Sequence, residues 1–324
     1  MNSLLKLAVV LAAALAAAAA HAQSKPVKVN MRLDWKPGAQ HATFYYAREK
    51  GYYAQEGIDL NIIPGSGSSD SVKQLGSRAI DVALVDALVL VQAAEQRVPV
   101  KSIAAYYQRT PITLMSPKAK PVSSVQQLLG DVKLGSKKGS ATYQGLVALL
   151  GANNIKLEQI KLMDIGFGVQ PLLVKQVDAI MGFTMNEPIE AETQGMPIHE
   201  ILIADHGVNA YGLTISSNDD FIAKQGELLT RFLRATKKAV IEEASAREAA
   251  IQAVVKAVPE VDAAREMKVL ERTLPFYAPK GGDLNSFGTQ TEQAWQQTID
   301  TAKRLGLVET APSTRALYNA SLLK

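Results

Sequence analysis

The sequence predicts an α/β protein whose two lobes meet across a cleft. Three observations carry that expectation. Short apolar segments of β character alternate with helical stretches over residues 27–107, the pattern of a parallel sheet covered by helices. The same alternation restarts after Pro111 and runs to about Gly182. Finally, a Gly- and Ser-rich turn enters a helix once in each half, at residues 64–71 and again at 135–142. A chain of 324 residues has room for two such units, each with a buried core.

The amino terminus is read separately. A short start with Lys6 precedes a wholly apolar run over residues 7–19, and Ala20-His21-Ala22 fits a small-x-small cleavage site. The apolar run is too short to span a bilayer, so export with cleavage after Ala22 is expected. The chain has no cysteine, which excludes disulfides, thiol nucleophiles, cysteine-ligated zinc and a lipid anchor on cysteine. The expected product is a freely diffusing periplasmic monomer. Loss of Lys6 takes the formal net charge from +4 to +3. Basic residues are scattered, with Lys137-Lys138 and Lys237-Lys238 as pairs, so no nucleic-acid partner is expected.

Val27, Val29, Met31 and Leu33 alternate with polar neighbours and predict the first strand. Pro37-Gly38 breaks it, and a helix from about Gln40 to Lys50 stops at Gly51, a residue tolerant of the left-handed cap. Ligands of open α/β sheets bind beyond the carboxyl ends of strands. Trp35, Gln40 and His41, on one loop at such an end, supply a ring face and polar tips. Residues 58–63 predict a second strand, followed by the turn at 64–71 and a helix to about Leu75. A Ser-capped helix start leaves backbone N–H groups free for an anion or carbonyl, and equally well describes an ordinary cap around Ser68. Asp70 stands where a dinucleotide fingerprint would need glycine. Residues 81–85 read as a third strand with Asp86 opening a helix, and 100–107 as a fourth.

Residues 108–115 read as a crossing into the second lobe. Ser123-x-x-Gln126 predicts a capping box, and residues 132–134 a strand leading to the second Gly-rich turn and a helix carrying Tyr143. Strands at 160–165 and 177–182 flank a helix at 169–174, and Pro188 suits a helix's first turn. Residues 211–216 return to the first lobe, with Tyr211 at the crossing. Beyond Asn218 the chain is helical cover, including a capping box at Ser245-x-x-Glu248. The expected division is residues 23–111 with 212–324 as one domain and 112–211 as the other, hinged near Thr110 and Ala210.

The run Leu33-Asp34-Trp35-x-Pro37, then Gln40-His41, then Phe44-Tyr45-x-Ala47-x-x-Lys50-Gly51-Tyr52-Tyr53-x-x-Glu56-Gly57, resembles the opening of the thiamine-pyrimidine-synthase-like family. That family is best known as periplasmic solute-binding proteins of ABC importers and includes pyrimidine-making enzymes. The resemblance implies a type II periplasmic-binding fold, a small planar heterocycle as ligand, and an inner-membrane permease as partner. It departs at Gly38-Ala39-Gln40, where Asn-rich polar residues would be expected. Within it a thiamine pyrimidine precursor is the expected ligand, with riboflavin-like, aromatic and sulfonate ligands as alternatives. It also implies that the enzymes need a cysteine-rich segment, so catalysis is not expected, nor is any cofactor.

Trp35 is expected to stack on the ligand, a use equal on loop position alone to packing as a half-buried indole, and favoured by the resemblance. His41 could donate to a ring nitrogen, ligate a metal or cap a helix; His199 and His206 show no paired spacing, so no metal is expected. Asn186 and Glu187 offer an amide and an acceptor suited to an amino-pyrimidine edge, or simply a helix start stabilised by the dipole. Asp86, Tyr143 and Tyr211 are candidates by position.

Overall fold

The computed structural model describes residues 25–304 and 306–323. The expected leader lies outside the described residues. The first half folds as β1 (Val27–Arg32), α1 (Ala42–Glu49), α2 (Tyr52–Gln55), β2 (Ile58–Ile63), α3 (Ser68–Gly76), β3 (Val82–Asp86), α4 (Ala87–Glu95) and β4 (Val100–Ala105). The second sheet takes β5 (Ile112–Pro117), β6 (Lys133–Ser136), α5 (Ala141–Ala152), β7 (Lys161–Asp164), α6 (Gln170–Leu173), β8 (Ala179–Phe183), α7 (Glu187–Thr193) and β9 (Ile198–Leu202). The chain returns through β10 (Leu213–Asn218) and ends in α8 (Asp219–Glu243), α9 (Arg247–Ala257), α10 (Ala263–Thr273) and α11 (Glu292–Arg304).

Two five-stranded sheets result, in the orders β2-β1-β3-β10-β4 and β7-β6-β8-β5-β9. These are one topology used twice. In each sheet four strands point the same way and the strand that follows a chain crossing, β10 or β5, inserts antiparallel beside the last of them. Thr214 pairs with Val85 on one side and Ala105 on the other, and Leu114 likewise with Met181 and Ile201. The all-parallel first sheet expected from residues 27–107 is therefore corrected in one respect: β4 runs in the direction of β1, β2 and β3 but is separated from β3 by the antiparallel returning strand. Strand β9 was not anticipated, because His199 and Glu200 interrupt its apolar residues and it is only half-buried at the sheet edge.

The two crossings lie side by side. The N–H groups of Tyr106 and Tyr107 both donate to Leu213 O, at 2.9 and 2.8 Å, and Gly212 N donates to Tyr107 O at 3.0 Å. A Cβ at Gly212 would fall 2.8 Å from Arg109 O, so glycine lets the strands approach. Two caps differ from expectation. The 3₁₀ turn after β5 is capped one residue later, Gln127 Oε1 accepting from Ser123 N and Ser124 N at 2.5 and 3.2 Å. The box at Ser245 does not form, since Ser245 Oγ donates to Glu242 O and α9 starts after Ala246.

The first sheet is packed on both faces. Met31, Leu84, Phe232 and Leu233 belong to one core, and Val85, Leu90 and Trp295 to the other. Each fully buried side chain of this kind contributes about 1.5–3 kcal/mol. A polar group interrupts the first core: Thr43 Oγ1 donates to Glu243 Oε1 at 2.5 Å and meets Tyr277 Oη at 3.0 Å. Burial lifts the Glu243 pKa to about 8.

Candidate functional site

Both sheets turn the carboxyl ends of their parallel strands toward one cleft, the position open α/β sheets use for ligands. From the first sheet Asp34, Trp35 and Gln40 follow β1, Gly67 and Ser68 follow β2, and Tyr107 with Leu213 line the crossings. From the second sheet Ser140, Ala141 and Thr142 follow β6, Phe167 follows β7, Phe183 ends β8, and Met185, Asn186 and Glu187 follow it. Trp35, Gln40, Ser68, Asn186 and Glu187 are thus brought together as lining residues.

The first-sheet wall is held by hydrogen bonds. Gly65 N donates to Trp35 O at 2.9 Å and Gly67 N to Asp34 O at 2.8 Å, which ties the loop after β1 to the turn after β2. That packing requires glycine, because a Cβ at Gly65 would lie 1.9 Å from Leu33 O. Gln40 is 6% exposed and its Nε2 donates to Lys36 O at 3.1 Å. Its backbone oxygen accepts from the hydroxyls of Tyr106 and Tyr107, at 3.0 and 3.2 Å. The indole of Trp35 is partly open to the cleft and meets Phe167 of the opposite wall edge-on, centroids 4.2 Å apart.

Four expected site residues stand elsewhere. His41 is fully buried behind the wall, its Nε2 2.8 Å from Asp34 Oδ1, because the turn at 39–41 rolls the imidazole into the core. It orients the carboxylate that does face the cleft. Asp86 is also buried, accepting from Leu88 N as the cap of α4 while its own N–H donates to Ser68 Oγ at 3.0 Å. Burial raises the Asp86 pKa to about 7, helped by the Asp34 charge. Tyr143 donates its N–H to the capping Ser140, and its ring is not among those lining the cleft. Tyr211 packs on Trp295 with centroids 5.3 Å apart and accepts from Thr291 N, on the outer side of the crossing.

Sequence reasoning missed Asp34 and Phe167. Asp34 stands beside Trp35, and its spacing from His41 was the available signal. Phe167 lies between Gly166 and Gly168 just past a strand end, where the argument used for Trp35 would have found it.

Glu187 opens α7, and its Oε2 accepts from Phe183 N at 2.7 Å. Gly182 makes the room, since a Cβ there would fall 2.9 Å from that oxygen. Burial raises the Glu187 pKa to about 7, the backbone donors and the nearby Arg265 holding it lower than burial alone would. Among the described residues lining the cleft, Asp34 and Glu187 are the ionisable acids and no lysine or arginine joins them, although Lys137 Nζ lies over the Phe167 ring, 5.3 Å from its centroid. The walls therefore offer a ring face, two carboxyls and two amides, suited to a flat molecule with N–H donors on its edge.

The chain is similar in sequence to named proteins and in fold to solved ones. The chain is 27% identical over 306 residues to the riboflavin-binding protein RibY of Chloroflexus aurantiacus, covering 92% of this chain and 86% of that one. It is 28% identical over 276 residues to the formylaminopyrimidine-binding protein of Halalkalibacterium halodurans, with 84% and 83% covered. A 4-amino-5-hydroxymethyl-2-methylpyrimidine phosphate synthase of Legionella pneumophila is 24% identical over 258 residues, with 78% and 80% covered. Among solved structures, the periplasmic aliphatic sulphonate binding protein SsuA from Escherichia coli superposes with a TM-score of 0.72 at 14% identity, covering 93% and 94%. At that identity the likeness establishes the fold, that of periplasmic binding proteins. The NMT1/THI5 like family model matches residues 38–250, and the chain belongs to that family.

Proposed function

We propose that this protein is the periplasmic solute-binding component of an ABC importer, exported with cleavage after Ala22. It closes two lobes around a small planar nitrogen heterocycle, an aminopyrimidine precursor of thiamine, and delivers it to an inner-membrane permease. The observation that carries the reading is the composition of the cleft: an indole face bordered by Glu187, Asp34, Asn186 and Gln40, with no basic side chain among the described lining residues. An aminopyrimidine edge presents N–H donors and ring-nitrogen acceptors, which a carboxylate and an amide match together. A sulfonate would bring a full negative charge against two acids, an unfavourable pairing. The relative named for formylaminopyrimidine supports the same chemistry.

A riboflavin-like ring is the second reading. It is favoured by the relative RibY and by Phe167, which is 46% exposed and offers a second aromatic wall opposite Trp35. Binding is favoured over synthesis because the pyrimidine-making enzymes, as the resemblance implies, need a cysteine-rich segment, and the chain has no cysteine. Calorimetry with formylaminopyrimidine, riboflavin and an alkanesulfonate separates the ligands, the first expected to bind most tightly. Tight sulfonate binding with no heterocycle bound would overturn the reading. Conversion of formylaminopyrimidine by the pure protein, seen by mass spectrometry, would return it to the enzymes.

A further inference from the structure

Helix α10 reaches from one wall of the cleft to the other. It packs on α9, which packs on α1, so it belongs to the first lobe. At its first turn Glu266 is 1% exposed, and its Oε2 accepts from Ala39 N at 2.5 Å, capping the 3₁₀ turn that carries Gln40. At its last turn Arg272 leaves the lobe. Its Nη1 donates to Thr184 O at 2.8 Å and to Glu200 Oε1 at 2.7 Å on β9. Glu200 Oε2 in turn accepts from Thr184 Oγ1 at 2.6 Å. Thr184 sits within the segment that presents Phe183, Met185, Asn186 and Glu187 to the cleft. Glu266 and Arg272 are six residues apart, so less than two helical turns, roughly 9 Å of rise, separate the two grips.

We propose that Arg272 is a positioning residue and that α10 is the latch holding the two walls of the cleft in binding register. Rotation of the second lobe about the crossings at Tyr107 and Gly212 carries Thr184 and Glu200 away from a helix fixed to the first lobe. Both bonds of Arg272 then break together. With the latch made, the Phe183–Glu187 segment stands at a fixed offset from Gln40, on the far side of the ring held by Trp35. The guanidinium suits this task because the two N–H groups of Nη1 reach a carbonyl and a carboxylate at once, while Nη2 lies 3.9 Å from Glu192 Oε1 of the same lobe. The latch rests on the reading of the cleft as the ligand site, but it also acts in the ligand-free protein.

The test uses that independence. The chain has no cysteine, so Ser77→Cys and Lys138→Cys, one exposed position in each lobe, take spin labels without background. In ligand-free protein, Arg272→Met should lengthen and broaden the interlobe distance. Arg272→Lys should restore part of it, and Arg247→Met, which removes a pair with Glu271 inside one lobe, should leave it unchanged. With formylaminopyrimidine as probe, Arg272→Met should weaken binding about tenfold, chiefly through faster dissociation. Identical distances in wild type and Arg272→Met would overturn the latch, as would a longer distance with unchanged affinity. If wild type binds no pyrimidine, the proposed ligand fails while the distances still decide the latch.

Discussion

The two walls of the cleft are built on the same strand order, yet they differ in how firmly their loops are held. On the first wall the loops after β1 and β2 are tied from behind at three points: Gly65 lies under the backbone of Leu33, His41 holds Asp34, and Asp86 holds Ser68. On the second wall the segment after β8 is tied by Glu187 and Arg272. The turn at Gly139, however, adopts a left-handed φ of 77° and faces open space, a Cβ at Gly168 (φ 90°) would lie 3.8 Å from Glu190 Oε1, and Phe167 projects outward. Equal topology therefore yields a floor tied from behind, opposite a cover whose turns after β6 and β7 are less closely packed. The strand ends fix where a site stands, and what packs behind each loop fixes how rigid it is.

This contrast can be broken. The largest effect is expected at Gly65: alanine there meets backbone that cannot yield, and urea unfolding should lose about 3 kcal/mol. The matching change on the other wall, Gly139→Ala, has no neighbour within 4 Å to strike and should cost only the left-handed strain of about 1 kcal/mol. Equal losses would remove the asymmetry. Trp35→Ala should weaken capture of formylaminopyrimidine by about 2 kcal/mol in calorimetry, within the range for ring stacking, with unfolding unchanged. An unaltered affinity would take the indole out of the site.

Glu187 sharpens the comparison through pH. Its pKa is raised from 4.5 to about 7, so the carboxylate that accepts from N–H donors is present above that value. Affinity should be full near pH 8 and fall up to about tenfold per unit as pH drops below 7, and Glu187→Gln should flatten that dependence. For folding the sign is opposite: the group's stabilising contribution is complete below 4.5 and is lost as pH rises through about 7. Titration calorimetry and unfolding at matched pH values separate the two. The smallest effect belongs to Phe167→Ala, about 1 kcal/mol of affinity and no change in stability, because the ring is already half exposed.

Much of this was legible in the sequence because strand ends are. Period-two alternation over Val27 to Leu33 located β1, and the loop after it delivered Trp35 and Gln40. The same logic at residues 64–71 and 183–188 delivered Ser68, Asn186 and Glu187. What stayed hidden depends on packing between distant segments. His41 and Trp35 share a loop, and only the roll of one 3₁₀ turn decides that the imidazole goes inward while the indole stays out. Tyr211 stands at the crossing as expected, but Trp295, 84 positions further on, draws its ring to the outer side. Arg272 had no local signal at all, since its partners Thr184 and Glu200 lie 88 and 72 residues away.

Strand β10 is made after the whole second sheet, yet it joins β3 to β4. A growing chain that has released residues up to Ala105 holds an arrangement with a missing rib, whereas residues 112–202 contain all five strands of the other sheet. The later-made part is therefore able to finish first. Pulse-labelled hydrogen exchange should find the amides of β5 and β8 shielded before those of β3 and β4, and simultaneous shielding would contradict that order.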